Sequence, residues 1–483
     1  MMPWSTAASL GTSGKQVRIL PAALVCLLAA ALLPLVVLLR HPQVMALSIV
    51  ILLPLVLVVA QRVATRTLDY FEILIPYSVL HLLSFGVGTY FLLENPKYLL
   101  HQSVYAYLVP ALALSVVGYL AVVLGYHVCF PRLGPSRMIT YRMRGLRPVL
   151  FLAALGLVGQ TAGILLHRAV MLKLGLSGLY TALSHLTPLF LASWFLVWHL
   201  AWTSSKSRFW RFLGPVLLTP QIVYAMYGTI GGKSYTITLL AIPTVAYWYA
   251  RRKLPVVAII AVVLVGVLVV FPLYNTFRTT DRHLDTNRRL EQTLTRAQRW
   301  DGSEYVERSV EAFFVRLALV SSPAAVIRSV GRWEDYRHGS TLTNMFLAFI
   351  PRAIWPDKPK MYAGHEFGHT FGLLNPMDVE TSVACTMVGE LYWNFGVPGV
   401  LGWGFLVGGL FRWVYRRFGE GGRMDALRKA LYVALLIQLL SLNEGDQGLL
   451  LPAVLETLVL YSGVTWVLLK LRWIERQEGP LPA

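Results

Sequence analysis

Charge is what this chain has least of: only 14% of its 483 residues are Asp, Glu, Lys or Arg, against 56% hydrophobic. That is too little to clothe a soluble protein of this size. Acidic side chains are the scarcer kind, 24 against 43 Lys and Arg, for a net charge of +19. Cysteine is nearly missing. Cys26, Cys129 and Cys385 lie far apart and form neither a metal spacing nor a disulfide framework. Internal repeats and low-complexity tracts are also absent, which excludes a solenoid or a compositionally biased linker.

What is present is a succession of apolar runs, near 19–39, 43–60, 70–93, 104–128, 148–167, 184–202, 212–230, 235–249, 254–275, 388–411, 429–442 and 448–470. Runs of about 20 residues cross a hydrocarbon core of roughly 30 Å as helices, because only a helix satisfies its own backbone there. The expected fold class is therefore all-α, a polytopic membrane protein of about twelve transmembrane helices. The first run is too long for the apolar core of a secretory signal and is soon followed by another, so it reads as a membrane helix, not a cleaved leader.

Alternate connections, around residues 15–18, 62–66, 132–147, 206–211, 251–253, 412–429 and 470–476, carry 24 of the 43 Lys and Arg. The short connections on the other side hold only Arg40, Lys97, Arg168, Lys173 and Lys233. The positive-inside rule then places both termini in the cytoplasm. The long connection 276–387 falls outside and is close to neutral, with 14 basic and 13 acidic side chains. The excess positive charge thus belongs to insertion topology and anionic membrane lipid, and no nucleic-acid partner is called for. The chain divides into an N-terminal membrane bundle (1–275, about nine helices), one long extracytoplasmic loop (276–387) and a C-terminal bundle (388–483, about three helices).

Inside the long loop, Val306, Val310, Phe313, Phe314 and Leu317 mark one apolar face of an amphipathic helix. A second helical stretch is expected near 341–350, ending at Pro351, and Trp355-Pro356 with Lys358-Pro359 reads as stiff extended chain. The Gly, Asn and Pro of 361–380 suggest loop. Within that loop HEFGH spells the zinc-protease pattern, with His365 and His369 as ligands and Glu366 as the base that activates water. Against it, Asn375 occupies the place of a third histidine, leaving Asp378 or Glu380 to complete a site. Gly364, Gly368 and Gly372 would each cost such a helix about 1 kcal/mol relative to Ala. The favoured reading has no metal.

The frame around HEFGH carries a second signal. YRHGSTLTNMFLAFIPRAIWPDKP is followed by a glycine-bearing loop with Asp378, Thr381 and Ser382, and then by GELYWNFGVPG opening a helix. YNTFR ends the ninth apolar run, and GGKS joins the seventh to the eighth. This order resembles the bacterial oligosaccharide repeat-unit polymerases (O-antigen, Wzy type), which often show arginine where this chain has Lys233. The resemblance implies a membrane glycosyltransferase of GT-C architecture in the bacterial plasma membrane, its active site facing the periplasm. Donor and acceptor would both be polyprenyl-diphosphate-linked oligosaccharides, with membrane lipid and a chain-length regulator as further partners and no cofactor.

That chemistry can be set against the residues. A diphosphate leaving group gathers negative charge, which Arg278, Arg282, Arg352, Lys358 and Lys233 would meet as fixed cations. The acceptor hydroxyl needs a general base, for which the candidates are His365, Glu390, His369 and Asp378. Trp355, Tyr362, Tyr392 and Trp393 would stack on sugar rings, and Asn394, Glu444 and Asp446 would bind their hydroxyls. Glu456, inside the last run, suggests a function or a buried partner, and the sequence names no partner. The alternatives are an O-antigen ligase using the same donor, an H-E-x-x-H membrane zinc protease, and a polysaccharide flippase or transporter.

Overall fold

The computed structural model describes residues 40–479 except 100, 131–137, 172–178, 180–182, 205–206, 228–232, 281–285, 299–301, 349, 351–354, 356–357, 359–362, 379–381 and 420–424. The chain is mostly helical. Its helices are α1 (Pro42–Ala64), α2 (Leu74–Glu94), α3 (Leu108–Val128), α4 (Arg147–Met171), α5 (Thr187–Thr203), α6 (Ser207–Tyr227), α7 (Lys233–Arg251) and α8 (Val256–Val265, continuing through a π turn to Phe271–Thr279). Then come α9 (Thr286–Ala297), α10 (Gly302–Leu317), α11 (Ser321–Ser329), α12 (Asn344–Leu347), α13 (Ala363–Thr370), α14 (Met387–Val414), α15 (Ala426–Ser441) and α16 (Gln447–Lys470). Each of the eleven expected crossings that falls on described residues is a helix; the first, 19–39, lies outside them.

Among the described residues, seven helices are long and apolar enough to cross a membrane: α1, α2, α3 with its 3-10 entry, α4, α8, α14 and α16. The pair Tyr305–Leu317 and Ser321–Ser329, bent by 46°, makes an eighth if it counts as one broken span. The helices α5 and α15, at 17 and 16 residues, are short, yet both are buried along most of their length. By contrast α8 turns Val257, Ile260, Val263, Leu264 and Val269 outward, an apolar surface suited to lipid and unsuited to water.

The closest packing in the bundle is between α3 and α14. A Cβ on Gly125 would lie 2.0 Å from the Phe405 carbonyl oxygen, and one on Gly408 would lie 2.0 Å from that of Val122. Gly404 lies over Gly118, where a Cβ would come 2.8 Å from the carbonyl oxygen. Glycine at these positions lets the two backbones touch, the device by which helices associate where hydrophobic burial supplies no drive. At Gly396 (φ 63°, ψ −151°) α14 leaves helical geometry, and Tyr336 packs over the kink.

The helical fold carries one small strand element besides. Met138–Met143 and Ile474–Gly479 pair as an antiparallel two-stranded ribbon, β1 and β2, with Met138 opposite Gly479 and Met143 opposite Ile474. The ribbon closes the end of the bundle where α3 and α16 finish. At the same end, buried Glu72 accepts both Arg62 Nε (2.8 Å) and Nη2 (2.7 Å) and the Tyr126 hydroxyl (2.7 Å), tying α1, α2 and α3 together. Neighbouring Asp69 accepts Trp248 Nε1 at 3.0 Å, and burial pushes its carboxyl above the ordinary range. A buried ion pair saturated with hydrogen bonds is a tie between elements more than a source of stability.

Candidate functional site

The opposite end of the bundle is built around the first turns of α14. Thr386 stands at φ 59°; its N–H donates to the Glu444 carbonyl (3.1 Å), and its hydroxyl caps the helix by accepting Gly389 N–H (3.0 Å). One turn on, Glu390 is 1% exposed; Oε1 accepts the Thr341 hydroxyl at 2.7 Å and Oε2 accepts Gln447 N–H at 2.8 Å. Asn394 follows on the same face, accepting Gly339 N–H (2.9 Å) and donating to Thr341 Oγ1 (2.8 Å) and the Glu390 carbonyl (2.8 Å). The thiol of Cys385 lies 3.8 Å from Glu390 Oε2, and burial pushes its pKa up.

Glu390, Asn394, Glu444 and Asp446 are therefore brought together. Their geometry is that of a clamp: the network fastens the 339–341 segment and the 444–447 turn to α14, and Glu390 and Asn394 are closed to solvent. Asp446 caps α16 by accepting Gly448 N–H (2.9 Å), and Glu444 pairs with Arg316 at the end of α10. The two members that sequence reasoning missed are Thr341 and Gln447. They carry no signal of their own, because their role comes from partners 49 and 57 residues away.

The region 361–380, expected as loop, contains α13. The glycines that argued against a helix are what let it pack. A Cβ on Gly364 would lie 2.3 Å from Ser382 Oγ, and one on Gly368 would lie 2.4 Å from Leu374 Cδ1. Gly372, at φ 66°, ends the helix in the left-handed conformation, and Leu373 and Leu374 N–H return to the Gly368 carbonyl. On this helix His365 Nε2 and His369 Nε2 face each other at 3.3 Å, and His369 Nε2 lies 2.9 Å from the Asp378 main-chain oxygen. Glu366 points elsewhere, to Arg337 Nη2 at 2.8 Å. The arrangement of a water-activating Glu beside two histidines is not formed. Phe367 and Phe371 pack on Trp393, over whose ring Arg337 lies 4.6 Å away, so α13 is docked on α14.

The cation candidates divide. Lys358 is buried, with Nζ donating to the Ile350 carbonyl at 2.9 Å, as a tie within its own turn. Arg282, Arg352 and Tyr362 lie outside the described residues, as do the side chains of Lys233 and Arg278, whose backbones open α7 and close α8. Those two helix ends meet: Thr236 Oγ1 lies 2.8 Å from the Tyr274 hydroxyl, one turn from each cation. Two arginines that sequence reasoning passed over join them from α9. Arg289 donates to the Phe277 carbonyl (2.8 Å) and lies over the Phe277 ring, and Arg296 reaches Thr280 Oγ1 at 3.4 Å. The helix α10 spans the gap between this corner and the clamp, with Phe313 against Phe271 and Arg316 on Glu444. Trp355 is exposed, and Tyr392 is half-buried beside Tyr336.

A family model described as a domain of unknown function, DUF8712, matches residues 77–419. The chain belongs to the DUF8712 family. The DUF8712 region begins in α2 and ends just beyond α14, so it contains the whole of 276–387 and the α3–α14 pair. Glu444, Asp446 and Gln447, which complete the clamp, lie beyond it. No curated protein and no solved structure matches the chain.

Proposed function

We propose that this chain is a membrane glycosyltransferase that polymerises polyprenyl-diphosphate-linked oligosaccharide repeat units on the outer face of a bacterial plasma membrane. It would have about twelve membrane helices and both termini in the cytoplasm. In this topology the ribbon end is cytoplasmic. The pairing of β1 with β2 supports it, because both strands come from segments assigned to the cytoplasm on charge alone. The contacts of Glu444 with Thr386 and Arg316 likewise join segments all assigned to the exterior.

The observation that carries the reading is the return of Arg289 and Arg296 onto the end of α8 where Arg278 sits. Guanidinium groups gathered at one helix end, beside the start of α7 with Lys233, suit a diphosphate held at the depth of the lipid interface. Bond making then joins an acceptor hydroxyl oxygen to the anomeric carbon of the donor while the anomeric carbon–oxygen bond to the polyprenyl diphosphate breaks. The cations meet the charge that the leaving group gains. With Glu390 enclosed by its clamp, His365, His369 and Asp378 remain as groups to receive the hydroxyl proton.

The test is chain extension by the purified protein from defined polyprenyl-diphosphate oligosaccharides, read as a ladder of lengthening products. Arg278→Ala, Arg352→Ala and Arg289→Ala should abolish the ladder in protein that remains folded and inserted. Wild-type ladders from all three variants, or transfer only to a lipid-core acceptor, would overturn the polymerase reading; the latter selects the ligase.

A further inference from the structure

His365 and His369 of HEFGH are candidates to receive the hydroxyl proton, but the geometry of the pair points to a different use, which would leave that role to the Asp378 carboxylate. His365 and His369 are four residues apart on α13, so their side chains share a face. Their Nε2 atoms converge to 3.3 Å with the rings inclined at 57°, and the Asp378 main-chain oxygen lies 2.9 Å from His369 Nε2. A single Nε2–H on His369 cannot serve both neighbours well, and 3.3 Å is beyond the usual range for a hydrogen bond donated by nitrogen, about 2.7–3.2 Å. These separations do match those between ligands of one metal ion. With bonds of about 2.0–2.1 Å, neighbouring ligand atoms stand roughly 3.0 Å apart in an octahedron and 3.4 Å apart in a tetrahedron.

We propose that His365 Nε2, His369 Nε2 and the Asp378 carbonyl oxygen hold a divalent transition-metal ion of the zinc class. Imidazole ligands select such ions over Mg²⁺ or Ca²⁺. Among the described residues no three His, Cys, Asp or Glu form a group that could hold a metal ion, so the third protein ligand is main-chain oxygen and water completes the shell. Glu366, held by Arg337, supplies no base, and the ion is a pin between α13 and the turn that follows Gly372, not a hydrolytic centre. This inference does not rest on the glycosyltransferase reading.

The experiment uses the full chain purified in detergent, stripped with a chelator and titrated with Co²⁺, whose visible absorption reports its ligands, then with Zn²⁺ in competition. One Co²⁺ per chain is expected, displaced by Zn²⁺ and unaffected by Mg²⁺. His365→Ala and His369→Ala should each weaken it by at least about 10-fold, and Glu366→Gln should leave it unchanged. His369→Gln, which keeps a donor for the Asp378 carbonyl, guards against a variant that merely misfolds. It should retain the melting temperature of the metal-free wild type while losing the ion. Absence of a Co²⁺ band in the wild type would overturn the proposal, leaving a histidine–histidine hydrogen bond. A band that survives His365→Ala/His369→Ala, or one that Glu366→Gln abolishes, would overturn it too.

Discussion

Glu390 accepts the main-chain N–H of Gln447 at 2.8 Å, a carboxylate near the start of one long helix holding the first residue of another. Its second oxygen holds Thr341. Replacement by alanine strands a buried N–H and a buried hydroxyl and opens a cavity. Glu390→Ala should therefore destabilise the protein by about 2–4 kcal/mol, seen as a lower melting temperature in detergent and faster proteolysis within 339–347. Glu390→Gln should lose less, since an amide oxygen still accepts one of the two bonds.

The α3–α14 contact makes a sharper demand. Gly125→Ala or Gly408→Ala puts a methyl 2.0 Å from a carbonyl oxygen of the facing helix, and the helices must separate at a cost of about 1–3 kcal/mol or more. Gly402→Ala, with nothing within 4 Å, should be neutral or slightly stabilising because alanine favours helix. Thermal unfolding of the three variants side by side checks this.

His185 Nδ1 lies 3.1 Å from Glu456 Oε2, a half-exposed partner for the carboxylate on α16. The hydrogen bond to Glu456 is the largest cause of the raised pKa of this imidazole, with the carboxylate charge adding to it and burial opposing it. A raised folded pKa means that the stabilising pair is fully present below the ordinary histidine value of about 6.5 and is lost as pH rises through the raised one. The melting-temperature difference between wild type and His185→Ala should be largest below the ordinary histidine value and shrink as pH rises above it. A difference that grows with pH would contradict the pairing.

Topology has a direct readout. Single cysteines at Gln477 on β2 and at Thr295 on α9, in a background lacking the native thiols, should react with a membrane-impermeant reagent from opposite sides of sealed vesicles. Equal reaction from one side would refute the assignment of the ribbon end to the cytoplasm.

Much of this arrangement was legible in the sequence, because apolar runs and amphipathic stripes are local signals. The stripe Val306, Val310, Phe313, Phe314 and Leu317 emerges as α10, with Phe313 on Phe271 and Phe314 on Phe91. What was not legible depends on distant partners. MITYRM and IERQEG are too short and too polar to announce strands, and each becomes one only by meeting the other. The glycines of α13 read as helix breakers locally, and only the nearness of Ser382, Val383 and Leu374 shows that they make room. Glu390 was noticed as a lone carboxylate, whereas its enclosure by Thr341 and Gln447 follows from two turns that fold against it.

The ribbon also sets a schedule. Its first strand is synthesised about 330 residues before its second, so at roughly 5–20 residues per second β1 waits some 15–65 s for its mate. During that interval α4 to α16 are synthesised with one end of the assembly unsealed. A ribosome stalled before residue 474 should hold a bundle whose 138–143 segment is still open to protease, and release of the last strand is the event that latches it.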